Sequence, residues 1–365
     1  MTDFAPVDWP VAARLADRLA RPGPPTDRAE ATALVVDLRR AAGVAAGHVA
    51  RITGMIPADG SDPAVAGVSR VLVVDRSGWA RANTELLATL TAGVGAAIAG
   101  KPGRRPPSRA VRLAGAAQAG AVLAALSGKV LGQFDPFTQL PGPDGLVRGR
   151  LLLVAPNVLQ IERSLGVDPA DFRLWVALHE QTHALQFAAA PWLTDHLRAR
   201  SATLLSDLAR DEQHGDSRRA RALAVAVSRS LRGDDDAPGI ESLLRPEERA
   251  VFEEVGAVMA LLEGHADVAM DAVGRSVVPT VARIRARFEA RRSGAGQRGP
   301  ADRVLRSVLG LDLKLAQYRD GAAFVRSVTR DVGQDGLNAV WSAPAMLPAP
   351  REITDPRAWV RRVHG

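Results

Sequence analysis

From Ala170 to Ala190 the chain runs without a glycine or a proline, and this stretch constrains the fold more than any other. It reads as one helix. Asp168 can accept a bond from the first free backbone N–H groups, and Pro169 fits the first helical position, where no N–H is needed. Trp175, Val176, Leu178, Leu185 and Phe187 would bury this helix deeply. Within it stands His179-Glu180-Gln181-Thr182-His183. Two histidines four apart share one helical face, with Cβ atoms about 5–6 Å apart, the reach needed to clamp one metal ion. Glu180 points roughly 100° away around the axis, beside the metal, where a carboxylate can take a proton from metal-bound water. Buried His, Glu and His side by side need partners, and a metal supplies them.

Two histidines leave room for a third protein ligand and an open position. Leu261-Leu262-Glu263-Gly264-His265-Ala266-Asp267 is the best supplier, inside a long helix opened by Pro246-Glu247-Glu248 and running through Ala272. Glu263 and Asp267 lie four apart on one face. Glu263 can bind the metal while Asp267 accepts the free ring N–H of a ligating histidine. His265 faces differently and is the alternative ligand.

Composition narrows the class. At 365 residues and 47% hydrophobic, the chain can bury a real core. The formal charge is +7, but it comes from dispersed arginines, and aromatics make up only 4%. No stacking platform or reader motif is present, so no nucleic-acid partner is expected. Without cysteines, thiolate ligands and disulfides are excluded. Met1 to Pro10 has neither a basic region nor an apolar run, which reads as cytoplasmic. Two Ala/Gly-rich stretches, Leu86 to Gly100 and Ala110 to Leu131, are too short or too charged for membrane spans and read as close-packed buried helices.

Helices are expected over Val11–Leu19 and Asp27–Val49, a strand at Val71–Val74, and a helix from about Ala80. Gly132–Phe137 and Pro141–Gly145 read as a turn-rich break, followed by a strand at Arg150–Ala155 whose edge could pair with an extended substrate. The break suggests an N-terminal helical region, 1–140, and a catalytic region, 141–365, or one continuous domain. Further helices are expected at Asn157–Leu165, Leu193–Leu208 and Arg219–Leu231, with His196 and His214 as surface histidines, and in a region ending near Val328. The tail, with Trp341 and Trp359, reads as a strap over the core.

The His-Glu-x-x-His helix followed by Glu-x-x-x-Asp resembles the gluzincin pattern of zinc metallopeptidases. With Asp75-Arg76-Ser77-Gly78-Trp79, Leu262 to Asp267 and Lys314-Leu315-Ala316-Gln317-Tyr318-Arg319-Asp320-Gly321, the chain resembles, over nearly its whole length, a family of zinc-dependent metalloprotease-like hydrolases from high-GC bacteria. One branch of that family is associated with biosynthesis of the deazaflavin redox coenzyme. The resemblance implies a mainly α (α+β) zincin-like fold with a small sheet and an Ala-rich helical N-terminal region. It departs from ordinary gluzincins in that 80 residues separate His183 from Glu263. Family peptidases often use a Tyr or His to donate to the tetrahedral oxyanion. Tyr318, the only tyrosine, could do this or be simply packed; Lys314, four residues earlier, could bind a substrate carboxylate or pair with an acid.

The expected activity is zinc-dependent hydrolysis of a peptide or other amide, with His179, His183 and Glu263 on Zn2+ and Glu180 as general base. The rival is a non-catalytic, zinc-stabilised binding or scaffold protein. A catalytic zinc has three protein ligands and a structural one four. Oligomeric state is left open.

Overall fold

The computed structural model describes residues 7–99, 106–142, 145–213, 244–293 and 311–365. The helix expected at Arg219–Leu231, and His214, lie outside them. The fold is mainly helical, with one three-stranded sheet. In chain order, α1 (Trp9–Leu19), α2 (Arg28–Thr53) and the short α3 (Pro63–Ala66) lead to β1 (Arg70–Val74). Next come α4 (Arg76–Ala99), α5 (Arg109–Ser127), β2 (Gly132–Pro141) and β3 (Val147–Val154). Then follow α6 (Ala155–Leu165), α7 (Pro169–Ala189) and α8 (Trp192–Gln213). The remaining helices are α9 (Pro246–Ala272), α10 (Val281–Ser293), α11 (Leu311–Asn338), α12 (Pro350–Thr354) and α13 (Pro356–His364).

The sheet order is β1-β3-β2, with β1 parallel and β2 antiparallel to β3. The expected strand edge for a substrate on β3 is therefore not available, because β3 is central and paired on both sides. Alternation along β3 divides the core. Leu151 and Leu153 face the large apolar cluster shared with α2, α7, α9 and the tail, whereas Leu152 and Val154 face a smaller one with Ala16, Trp79 and Leu123. Position 140 falls within β2, and the large cluster runs from Leu34 to Trp359.

The expected break at Gly132–Phe137 is instead β2. Its Pro136 sits where the register shifts between Asp135 and Gln139, so the missing N–H breaks no ladder bond. Buried Asp135 fixes this bulge, accepting the N–H groups of Phe137 and Thr138 on one oxygen and Arg150 Nε at 2.7 Å on the other. Asp75-Arg76-Ser77-Gly78-Trp79 opens α4 earlier than expected, with Asp75 accepting the Gly78 N–H at 2.6 Å. Helix α5 buries one face, at Ala116, Gly120, Leu123 and Ala124, and leaves Val111 and Leu113 exposed. By length and mean hydropathy, 1.4, it is the one helix among the described residues that could cross a membrane.

Helices α9 and α11 touch backbone to backbone where Gly264 meets Gly321. A Cβ on Gly264 would lie 2.2 Å from the Gly321 carbonyl carbon, and one on Gly321 would lie 1.9 Å from the Ala260 oxygen. Two glycines far apart in sequence thus set how α9 is seated, and Glu263 with it. The tail wraps this pair. Trp359 is fully buried, and its indole N–H donates to the Met346 carbonyl.

Candidate metal centre

Helix α7 begins as the sequence predicts, with Asp168 accepting the Asp171 N–H at 3.0 Å and Pro169 in the first turn. Phe172, Trp175, Ala177, Leu178 and Leu185 are buried around its circumference, so its polar residues are carried into the protein. His179 and His183 bring their Nε2 atoms to 3.2 Å, and Glu263 from α9 places Oε2 3.3 Å from the first and 3.5 Å from the second. These are the three residues the sequence proposed. Among the described residues they form a group whose ligand atoms lie within 4.8 Å of one another.

The donor set fits zinc. Ligand atoms about 2.0–2.1 Å from a tetrahedral ion lie about 3.3 Å from one another, which the three observed separations match. Electrostatics agree. Burial pushes the Glu263 carboxyl up, but the charge of His183 and hydrogen bonds from both histidines hold it well below the usual carboxylate range. Burial likewise opposes protonation of His183, yet Glu263 beside it, with Glu180 and Gln186, raises it to about 9. The space between these groups attracts positive charge.

Glu180 is buried beside them, and burial raises its pKa despite the neighbouring histidines. Its carboxyl lies against Gly132, the first residue of β2. The histidine side chains keep some exposure, 24% for His179 and 13% for His183, so the centre opens to solvent.

Asp267 does not meet a histidine. One helical turn beyond Glu263 it has passed the histidine pair, and its Oδ1 accepts Arg285 Nη1 of α10 at 2.9 Å, with Asp271 on the same guanidinium. His179 Nδ1 is buried with no hydrogen-bond partner among the described residues. The orienting residue is instead Gln186, fully buried, whose Oε1 lies 3.0 Å from His183 Nδ1. Its Nε2 donates to the Leu262 carbonyl at 2.9 Å and faces His265 Nδ1 at 3.1 Å. When a metal displaces the Nε2 proton, the Gln186 Oε1 contact keeps the remaining proton of His183 on Nδ1. The signal was legible: Gln186 lies three residues after His183 on the same face.

His265 lies outside the ligand group. It is buried against Trp341, rings 5.4 Å apart, and burial, then the charge of His183, lowers its pKa to about 4. It is thus a neutral acceptor for Gln186. Tyr318 and Lys314 belong to α11, but their side chains lie outside the described residues.

The chain matches the zincin-like metallopeptidase family over residues 7–360 and belongs to it. That membership implies a metal, typically zinc, and supports hydrolase activity. The chain is similar to a solved structure from Chloroflexus aurantiacus described as a "putative hydrolase with a novel fold". The two share 29% identity over 98% of each chain, with a TM-score of 0.66. No curated protein matches the chain.

Proposed function

We propose that the protein is a zinc-dependent hydrolase of peptides or other amides with Glu180 as its general base. The observation that carries this reading is the convergence of His179, His183 and Glu263 within 4.8 Å, with Glu180 buried alongside. Among the described residues three ligands rather than four converge, which favours a catalytic ion with an open position over a structural one. When bound, zinc polarises a carbonyl and acidifies water at that position. The rest falls to the chain's own groups. Glu180, made more basic by burial, takes a proton from the attacking water and returns it to the leaving nitrogen. Glu263 offsets the positive charge, and Gln186 keeps the His183 ring aimed. Strand β2 lies at the edge of the sheet and its first residue, Gly132, lies against Glu180, so an extended substrate backbone laid along it would pass the base.

The test is turnover of a peptide library by the zinc-loaded protein. Glu180→Gln is expected to keep one zinc and lose at least a hundredfold in kcat. Equal turnover in the two proteins would remove the general-base assignment.

A further inference from the structure

The centre leaves one part of the sequence pattern unused, the Asp75 to Trp79 stretch, and one contact unexplained, that between Glu180 and Gly132. A Cβ on Gly132 would lie 2.6 Å from Glu180 Cγ and 2.7 Å from both Cδ and Oε1. The space the carboxyl occupies therefore exists only because residue 132 has no side chain.

The glycine is itself held in place. Buried Asn157, from α6, donates through Nδ2 to the carbonyls of Ser127 at 2.7 Å and Val130 at 2.6 Å, fixing the turn that enters β2. The Leu131 carbonyl accepts the Val154 N–H at 2.9 Å, and Gly132 then pairs with Leu153. Asn157 in turn accepts Arg76 Nε at 2.7 Å. Arg76 is buried with four oxygen partners: Asn157, Gln160 and the carbonyls of Arg21 and Pro22. None is a carboxylate, so the guanidinium acts as a multipoint brace.

We propose that Gly132 is a positioning residue for Glu180, and that Arg76 and Asn157 brace the backbone that carries it. This rests on the general-base reading of Glu180. In Gly132→Ala the group that must give way is the Glu180 side chain itself. Moving its atoms from 2.6 Å to ordinary contact, about 3.5 Å, shifts the carboxyl by about 1 Å, and such a misplacement can cost on the order of 10²-fold in rate. The fold should tolerate it, because only a side-chain end moves.

The experiment compares wild type, Gly132→Ala, Glu180→Gln, Arg76→Lys and, as a control, Gly149→Ala. Gly149 is equally tight, a Cβ there lying 2.6 Å from Phe134 Cζ and 2.9 Å from the Asp135 carbonyl oxygen, but neither group belongs to Glu180. Zinc content, kcat and KM on a peptide substrate, and calorimetric affinity of the zinc-loaded protein for acetohydroxamate are measured. Acetohydroxamate reports the proton-accepting carboxylate even without turnover. Gly132→Ala is expected to keep one zinc and its KM, lose 10- to 100-fold in kcat, and weaken acetohydroxamate about as much as Glu180→Gln does. Arg76→Lys should lose several-fold in kcat at unchanged zinc. Gly149→Ala should lose stability only. If Gly132→Ala keeps wild-type kcat and acetohydroxamate affinity while Glu180→Gln loses both, the positioning role is overturned; if Arg76→Lys keeps wild-type kcat, the brace is. Wild-type behaviour in Glu180→Gln would instead sink the general-base reading, and this proposal with it.

Discussion

Replacing Gln186 by methionine, a side chain of similar volume, removes three polar contacts at once and leaves packing nearly unchanged. The fully buried amide holds His183 Nδ1 at 3.0 Å, the Leu262 carbonyl at 2.9 Å and His265 Nδ1 at 3.1 Å. It thereby ties α7 to α9 at the level where His183 and Glu263 converge. Two consequences separate. The metal-free protein loses roughly 2–5 kcal/mol, because buried groups are left without partners. Zinc affinity falls about 10- to 100-fold, since His183 is no longer held in the tautomer and aim a ligand needs. Competition for zinc against a chromophoric chelator reads the second effect, and urea unfolding of the metal-free protein reads the first. A Gln186→Met protein that folds and holds zinc as tightly as wild type, while His183→Ala loses it, would refute the orienting role.

Asp267→Asn should leave zinc affinity within about twofold while costing about 1 kcal/mol of stability, because the partly exposed Asp267 pairs with Arg285 rather than with a histidine; a marked loss of zinc in calorimetry would return Asp267 to its expected place behind a ligating histidine. Glu352 accepts Arg362 through both oxygens at 2.8 Å and the Ala349 N–H at 2.8 Å, and the hydrogen bonds from Arg362 lower its pKa. A carboxyl with a depressed folded pKa stabilises above its unfolded value, near 4.3, and that stability is lost as pH falls through the folded value. Glu352→Gln should therefore cost about 1–2 kcal/mol at pH 7 and flatten the acid limb of a stability profile between about pH 5 and 2; an unchanged limb would contradict this.

What the sequence made legible was local. The bounds of α7 follow from Asp168, Pro169 and a run without breakers, and the histidine pair follows from its period. Glu263 was readable because an acid inside an apolar helix needs a cation. The misreadings arose where tertiary structure decides. Asp267 shares the face of Glu263, but only the seating of α10 shows that Arg285 waits for it. Pro136 argued against a strand, and only the bulge built by Asp135 and Arg150 admits it. The meeting of Gly264 with Gly321, and of Gly132 with Glu180, left no trace in composition or period, because a glycine looks the same whether it turns the chain or makes room for a neighbour.

The central claim is that His179, His183 and Glu263 hold one zinc ion. Elemental analysis of untagged protein after mild chelation, comparing wild type with Glu263→Ala and His265→Ala, tests it most directly. One equivalent of zinc in wild type and in His265→Ala, and none in Glu263→Ala, is the predicted result. Zinc absent from reconstituted wild type, or retained when Glu263 is removed, would contradict it.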